Sequence, residues 1–194
     1  LVTVSGELRF VIGVSDEIRP EAKKALMKLR KMGIKRFVML TGDNQITAQA
    51  VATQLGIDEV KAELLPADKV KEVQKLKDTG HIVAFVGDGI NDSPSIALAD
   101  IGIAMGSGTD VAVETSDIVL MRSSFDELVH AFGLTRATIF NMRQNIGISL
   151  ATVGLLFVGL FAGFIYMASG MFVHEASILF VILNGLRLMK FRVK

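Results

Sequence analysis

The stretch "HIVAFVGDGIND" (81–92) decides the fold. Its first part, "HIVAF", is a short apolar run that reads as a buried strand. Its second part, "VGDGIND" (86–92), is a glycine-rich turn with Asp88 and Asp92 four residues apart. Carboxylates at the mouth of a strand, beside glycines that let a phosphate come close, suit Mg²⁺-assisted phosphoryl chemistry. Two carboxylates this close repel each other unless a cation or solvent separates them. Asp88 is the better direct Mg²⁺ ligand, with Asn91 and Asp92 holding water or orienting it. The alternative is a hydrogen-bonded turn in which Asn91 or Asp92 caps the next helix. Phosphoryl transfer also needs an acceptor, which this stretch does not supply.

Outward from this turn, strands alternate with helices. "LVTVSGELRFVIGV" (1–14) reads as two short strands around a Ser-Gly turn. "RPEAKKALMKLRKMG" (19–33) has proline near its first turn, basic later turns and a closing glycine, the marks of a bounded helix. Strands follow at "RFVML", "VKAEL", "HIVAFV", "IGIAM" and "DIVLM", with helices at "NQITAQAVATQLG", "PADKVKEVQKLKDTG" and "SPSIALA" between them. A long helix, "FDELVHAFGLTRATIFNMRQN" (125–145), closes the series. This order predicts an α/β fold, a doubly wound parallel sheet with its loops gathered at the strand ends.

Two earlier motifs fit such a site. In "LTGDN" (40–44), Thr41 and Gly42 at a strand end offer a hydroxyl and backbone N–H groups to phosphate oxygens, or Asp43 and Asn44 cap the next helix. In "LPADK" (65–69), Lys69 stands in a first helical turn, where a cation opposes the helix dipole. A phosphate would give it a reason to be there, and a solvated lysine is the alternative. Thr41, Lys69 and Asp88/Asp92 fall at successive elements of one sheet, and that order points to one phosphate site. "MGSGTD" (105–110) has Val111 where a dinucleotide loop needs its third glycine, so it reads as a turn before a helix capped by Thr109 or Asp110. His81 and His130 lack metal-ligand spacing.

Charge divides the chain. Residues 1–143 carry 17 Lys+Arg against 19 Asp+Glu, and residues 144–194 carry 4 against 1. No basic stripe interleaved with aromatics marks a nucleic-acid partner, and without cysteine there is neither a disulfide framework nor a thiolate metal site. Asn145 to Val173 holds no Asp, Glu, Lys, Arg or His, a run of 29 residues. Roughly 20 suffice to span a bilayer. A second apolar segment, "ASILFVILNGLRLM" (176–189), follows, and basic residues flank the pair: Arg136 and Arg143 before, Arg187, Lys190, Arg192 and Lys194 after. Both flanks are therefore expected in the cytoplasm, with "ASG" (168–170) as the far turn. Between the spans, His174 and Glu175 are ionisable residues in an apolar hairpin, a placement typical of a pathway. Imidazole and carboxylate together suit a divalent transition metal. The alternative is an interfacial pair near the far membrane surface.

"MLTGDNQITAQAVATQLGI" (39–57), "ELLPADKVKEV" (63–73) and "VGDGINDSPSIALADIGIAMGSGTDVAVETSDIVLM" (86–121) resemble the phosphorylation domain of a P-type ATPase of the heavy-metal-transporting, zinc/cadmium/cobalt-type group. "RQN" (143–145) and "LNGLRLM" (183–189) resemble that group's last two membrane helices. The resemblance implies a haloacid-dehalogenase-like phosphorylation domain followed by a two-helix transmembrane hairpin. It divides the chain into the tail of a nucleotide-binding domain (1–15), the C-terminal portion of the phosphorylation domain (16–125), a linking helix (126–144) and the hairpin (145–194). It implies the C-terminal part of an ATP-driven metal exporter in the cell membrane, with the phosphorylation domain cytoplasmic, ATP as substrate and Mg²⁺ as cofactor.

By the same resemblance Thr41 contacts the aspartyl phosphate and Lys69 stabilises the transferring phosphoryl group. Asp88 binds Mg²⁺ with Asn91 and Asp92 in support, and Gly42, Asp43, Asn44 and Gly89 face nucleotide. "HEAS" (174–177) resembles the His-Glu-Gly signature of the cobalt-type subgroup, which implicates His174 and Glu175 in metal transport. Ala176 and Ile178 depart from it, leaving cobalt, zinc, cadmium, iron and nickel open and copper least fitting. The family's acceptor is the aspartate of an Asp-Lys-Thr-Gly-Thr motif. "KDTG" (77–80) is a decoy, because it closes a helix and Gly80 reads as its stop. The acceptor is thus expected in another part of the protein, with the actuator, the nucleotide-binding domain and further membrane helices, and this chain alone is expected to be inactive. The alternatives are a soluble phosphatase of the haloacid-dehalogenase type, which would need its own Asp-x-Asp, and a non-catalytic truncated membrane subunit or regulator.

Overall fold

The computed structural model describes residues 2–4, 7–10, 17–87, 90–106 and 114–192. Strands β1 (Val2–Val4) and β2 (Glu7–Phe10) pair antiparallel with Val4 opposite Glu7, as the opening residues predict. Helix α1 (Ala22–Lys31) buries Ala22, Ala25 and Leu29, spaced along one face. Its last turn carries Lys28, Arg30 and Lys31, where the carbonyl end of a helix favours cations.

Next come β3 (Val38–Leu40), α2 (Gln45–Leu55) and β4 (Glu59–Lys61), with β3 and β4 parallel and Val38 opposite Glu59. Asn44 caps α2, its Oδ1 accepting the Thr47 N–H at 2.9 Å. Helix α3 (Pro66–Asp78) opens on proline and stops at Thr79–Gly80, so the decoy motif is a helix end. Then β5 (Ala84–Gly87), a 3-10 turn (Ile90–Asp92), α4 (Ser93–Leu98), β6 (Ile101–Met105) and β7 (Ile118–Leu120) follow, with β6 central and parallel to both neighbours. A Cβ on Gly102 would lie 2.5 Å from the Ile96 carbonyl oxygen, so glycine is what lets α4 cross β6 this closely.

Two details of the α/β part differ from the sequence reading. Among the described residues the parallel strands form two hydrogen-bonded sets, β3–β4 and β5–β6–β7, where one continuous sheet was expected. The strand expected at "VKAEL" is displaced to Glu59–Lys61, because Glu63 turns the chain at φ +56° and donates its N–H to the Asp43 carbonyl at 2.8 Å.

The core joins Ala25 and Leu29 of α1 to Ile103 and Met105 of β6, Leu120 of β7, and Leu128 and Val129 of the next helix. That helix, α5 (Phe125–Phe161), is capped by Ser124 and starts with Asp126 and Glu127. It then runs unbroken for 37 residues. The chain turns at Ala162–Tyr166 into α6 (Met167–Leu186) and a 3-10 turn (Arg187–Lys190). The far turn is therefore not at 168–170, which lies within α6. Gly163 makes it instead, at φ +76°, and the Phe164 N–H reaches back to the Gly159 carbonyl at 2.9 Å. Both α5 and α6 with its 3-10 extension are long and apolar enough to cross a membrane. Leu150, Phe157, Phe161 and Phe180 are all more than half exposed, so among the described residues no protein core takes up this surface.

Candidate active site

The site is assembled at the C-terminal ends of β3 and β5. Thr41 leaves β3 with its N–H on the Lys61 carbonyl at 3.0 Å. Its hydroxyl donates to Asp43 Oδ2 at 2.9 Å and accepts the Asp43 N–H at 3.1 Å, which folds residues 41–43 into a tight polar loop. The Leu64 N–H donates to the Thr41 carbonyl at 3.0 Å, tying this loop to the segment that enters α3. Asn44 is committed to capping α2, so the capping alternative holds for it, while Asp43 is held by Thr41. Gly42 meets only the Leu64 carbonyl oxygen, at 3.5 Å from where a Cβ would be.

Lys69 lies in the first turn of α3, whose start is fixed by Pro66 and by Asp68 accepting the Leu65 N–H at 3.4 Å. The Lys69 ammonium donates to Asp92 Oδ1 at 2.8 Å, and the two side chains are 17% and 15% exposed. A cation in an unfavourable helix position thus has its reason in this protein: a carboxylate 23 residues away. Partly shielded from water, the pair attracts more strongly than a surface pair would. Asp92 is in turn fixed by Gly87. A Cβ there would stand 2.8 Å from Asp92 Cβ and 3.1 Å from its Oδ2. The sequence reading took the glycines of this turn as room for a phosphate; Gly87, at the last strand position, leaves room for Asp92.

Asp88 and Gly89 lie outside the described residues, as do Thr109 and Asp110. Asn91 is exposed on the 3-10 turn beside Asp92. The fit to Mg²⁺ rests on Asp92, a carboxylate closing the 3-10 turn after β5, whose Oδ1 meets Lys69 and whose Oδ2 lies beside Gly87. A hard carboxylate oxygen of this kind is one of the one or two that Mg²⁺ takes from a protein. Among the described residues no group of three or more His, Cys, Asp or Glu is gathered, so His174 and Glu175 stand apart from further ligands of those kinds. Both are exposed on α6, where the Ser177 hydroxyl donates to the His174 carbonyl at 2.7 Å.

The model of the haloacid dehalogenase-like hydrolases matches residues 1–100. The chain belongs to that family. This haloacid dehalogenase-like chain is 48% identical over 179 residues to the zinc-transporting ATPase of Bacillus subtilis (strain 168), covering 92% of itself and 28% of that relative. It is 45% identical over 195 residues to the manganese-exporting P-type ATPase of Mycobacterium leprae (strain TN), covering 100% of itself and 27% of the relative. A crystal structure of a zinc-transporting PIB-type ATPase in the E2.Pi state matches it with a TM-score of 0.81 at 44% identity, over 90% of this chain and 28% of that one. The chain therefore spans little more than a quarter of the length of the relatives it matches.

Proposed function

We propose that this chain is the C-terminal part of an ATP-driven export pump for a divalent transition metal, working through an aspartyl phosphate whose acceptor lies outside these residues. The observation that carries the reading is α5, which begins in the core of the phosphoryl-binding domain and ends in the apolar hairpin. The likeness to zinc- and manganese-transporting ATPases over the whole of that join supports it.

In this reading residues 1–15 close a nucleotide-binding domain, 16–125 form the phosphorylation domain, 126–144 link it to the membrane and 145–194 form the hairpin. Thr41 donates to the phosphate, and Gly42, Asp43 and Gly89 line the nucleotide side, while Asn44 keeps its cap on α2. Lys69 neutralises the phosphoryl group as charge moves onto its oxygens. Asp92 keeps the ammonium aimed and in reach until phosphate arrives. Asp88 and Asp92 hold Mg²⁺, with Asn91 in support; when bound, the ion offsets charge on the phosphate oxygens. His174 and Glu175 contact the transported metal, their exposure here matching a place for other membrane helices of the same protein. The basic flanks support a phosphorylation domain on the cytoplasmic side of the cell membrane.

Full-length protein reconstituted in lipid tests this by ATP hydrolysis with and without zinc, manganese or cobalt. Lys69→Ala is expected to lower metal-stimulated turnover by about 10²-fold or more. His174→Ala with Glu175→Ala is expected to remove metal stimulation while nucleotide binding stays. Stimulation surviving the double change would strip the pair of its transport role, and a full-length protein indifferent to every metal would overturn the pump.

A further inference from the structure

Three asparagines close a ring between α5 and α6. Asn145 Nδ2 donates to Asn141 Oδ1 at 3.2 Å, and Asn184 Nδ2 donates to Asn145 Oδ1 at 2.8 Å. Asn141 Nδ2 completes the circuit by donating to the Asn184 main-chain carbonyl at 2.9 Å, and Arg187 donates to Asn184 Oδ1 at 2.9 Å. Each amide thus gives and accepts, and Asn141 is only 8% exposed. The ring sits where α5 leaves its charged part, since Asn145 is the first residue of the uncharged run. Its Asn184 lies ten residues, about 15 Å along the helix, from His174.

Two of these bonds, Asn141 to the Asn184 carbonyl and Asn184 to Asn145, cross between the helices, so a rotation of either helix breaks both together. The other end of α5 is equally fixed: Leu128 and Val129 belong to the core, and Arg136 donates to the Met32 carbonyl at the end of α1.

Resting on the pump reading above, we infer that Asn141, Asn145 and Asn184 are positioning residues that make α6 follow α5. A displacement of the phosphorylation domain reaches His174 and Glu175 through this ring, although among the described residues neither side chain is hydrogen-bonded to α5. The ring couples hydrolysis to metal movement and takes no part in either chemistry.

The test uses the full-length protein in sealed vesicles, measuring ATP hydrolysed and metal taken up on the same sample. Asn184→Leu, apolar and membrane-compatible, is expected to keep metal-dependent hydrolysis within about two-fold while metal moved per ATP falls about five-fold or more. A second variant, Asn145→Cys with Asn184→Cys, is expected to show the same lowered ratio with its thiols free and to regain it when a short thiol cross-linker ties the helices. An unchanged ratio, or both rates falling in parallel with no recovery on cross-linking, makes the ring a structural staple and overturns the inference. Wild-type protein without metal-dependent hydrolysis would instead overturn the pump reading beneath it, so the two failures are told apart.

Discussion

Asp92 answers to two neighbours, and each makes a prediction. Gly87 leaves it room: Gly87→Ala drives a methyl to within 2.8 Å of Asp92 Cβ, so the carboxylate must move and the Lys69 contact goes with it. Misplacement of about 1 Å at such a site costs on the order of 10²-fold in turnover. Steady-state kinetics of full-length Gly87→Ala is expected to show that loss in kcat with little change in nucleotide affinity. A KM rise at constant kcat would mean Asp92 serves binding only. One turn on, Ser95 is fully buried and its hydroxyl has no partner among the described residues. An unmet buried hydroxyl costs on the order of 1 kcal/mol or more, so Ser95→Ala is expected to raise the unfolding temperature of the protein. A lowered Tm would reveal a water or backbone partner for that hydroxyl.

Between α1 and the β3–β4 pair, one carboxylate holds three segments together. Asp58 accepts the Phe37 N–H at 2.8 Å and Arg30 at 2.9 Å, while Arg30 also lies 5.0 Å from the centre of the Phe37 ring. The Phe37 N–H first, and Arg30 with it, hold the Asp58 carboxyl below the ordinary carboxylate range. A depressed folded value means the contribution is complete above the unfolded pKa of about 3.9 and is lost as pH falls through the lower folded value. Asp58→Asn is therefore expected to lower stability at neutral pH and to flatten the loss on acidification; equal slopes for both proteins in pH-dependent melting would refute the clasp. At this scale the sequence was legible wherever chemistry is local. Asn44 at a helix start, Gly80 at a helix stop and the apolar run of β6 each declare themselves within a few residues. Chain order put Lys69 and Asp92 in one site, but their direct bond and the asparagine ring were not legible, because the members stand 23 and up to 43 residues apart. The turn of the hairpin was misread for another reason. "ASG" offered small residues, but Gly170 is accommodated inside α6, while Gly163 between aromatic and apolar neighbours bends the chain.

Taken whole, the molecule is an α/β layer and an apolar hairpin sharing one helix. The order of Thr41, Lys69 and Asp92 along the chain already implied a single site, and the structure brings the last two into contact. The hairpin's own geometry is tested by topology. Phe164→Cys in the full-length protein is expected to react with a membrane-impermeant thiol reagent from the non-cytoplasmic side, and Leu155→Cys, within α5, to stay unlabelled. Labelling of Phe164→Cys from the cytoplasmic side alone would reverse or abolish the span. The shared helix has one more consequence. From Phe125 to Gln144 it measures about 30 Å, several times the Debye length of about 8 Å in physiological salt. Anionic headgroups repel a nucleotide's phosphates only within that screening distance. On the proposed reading, with the span beginning at Asn145 and α5 upright in the bilayer, the core end of the helix lies far enough from the lipid that a polyanion diffuses there as it would in open solution.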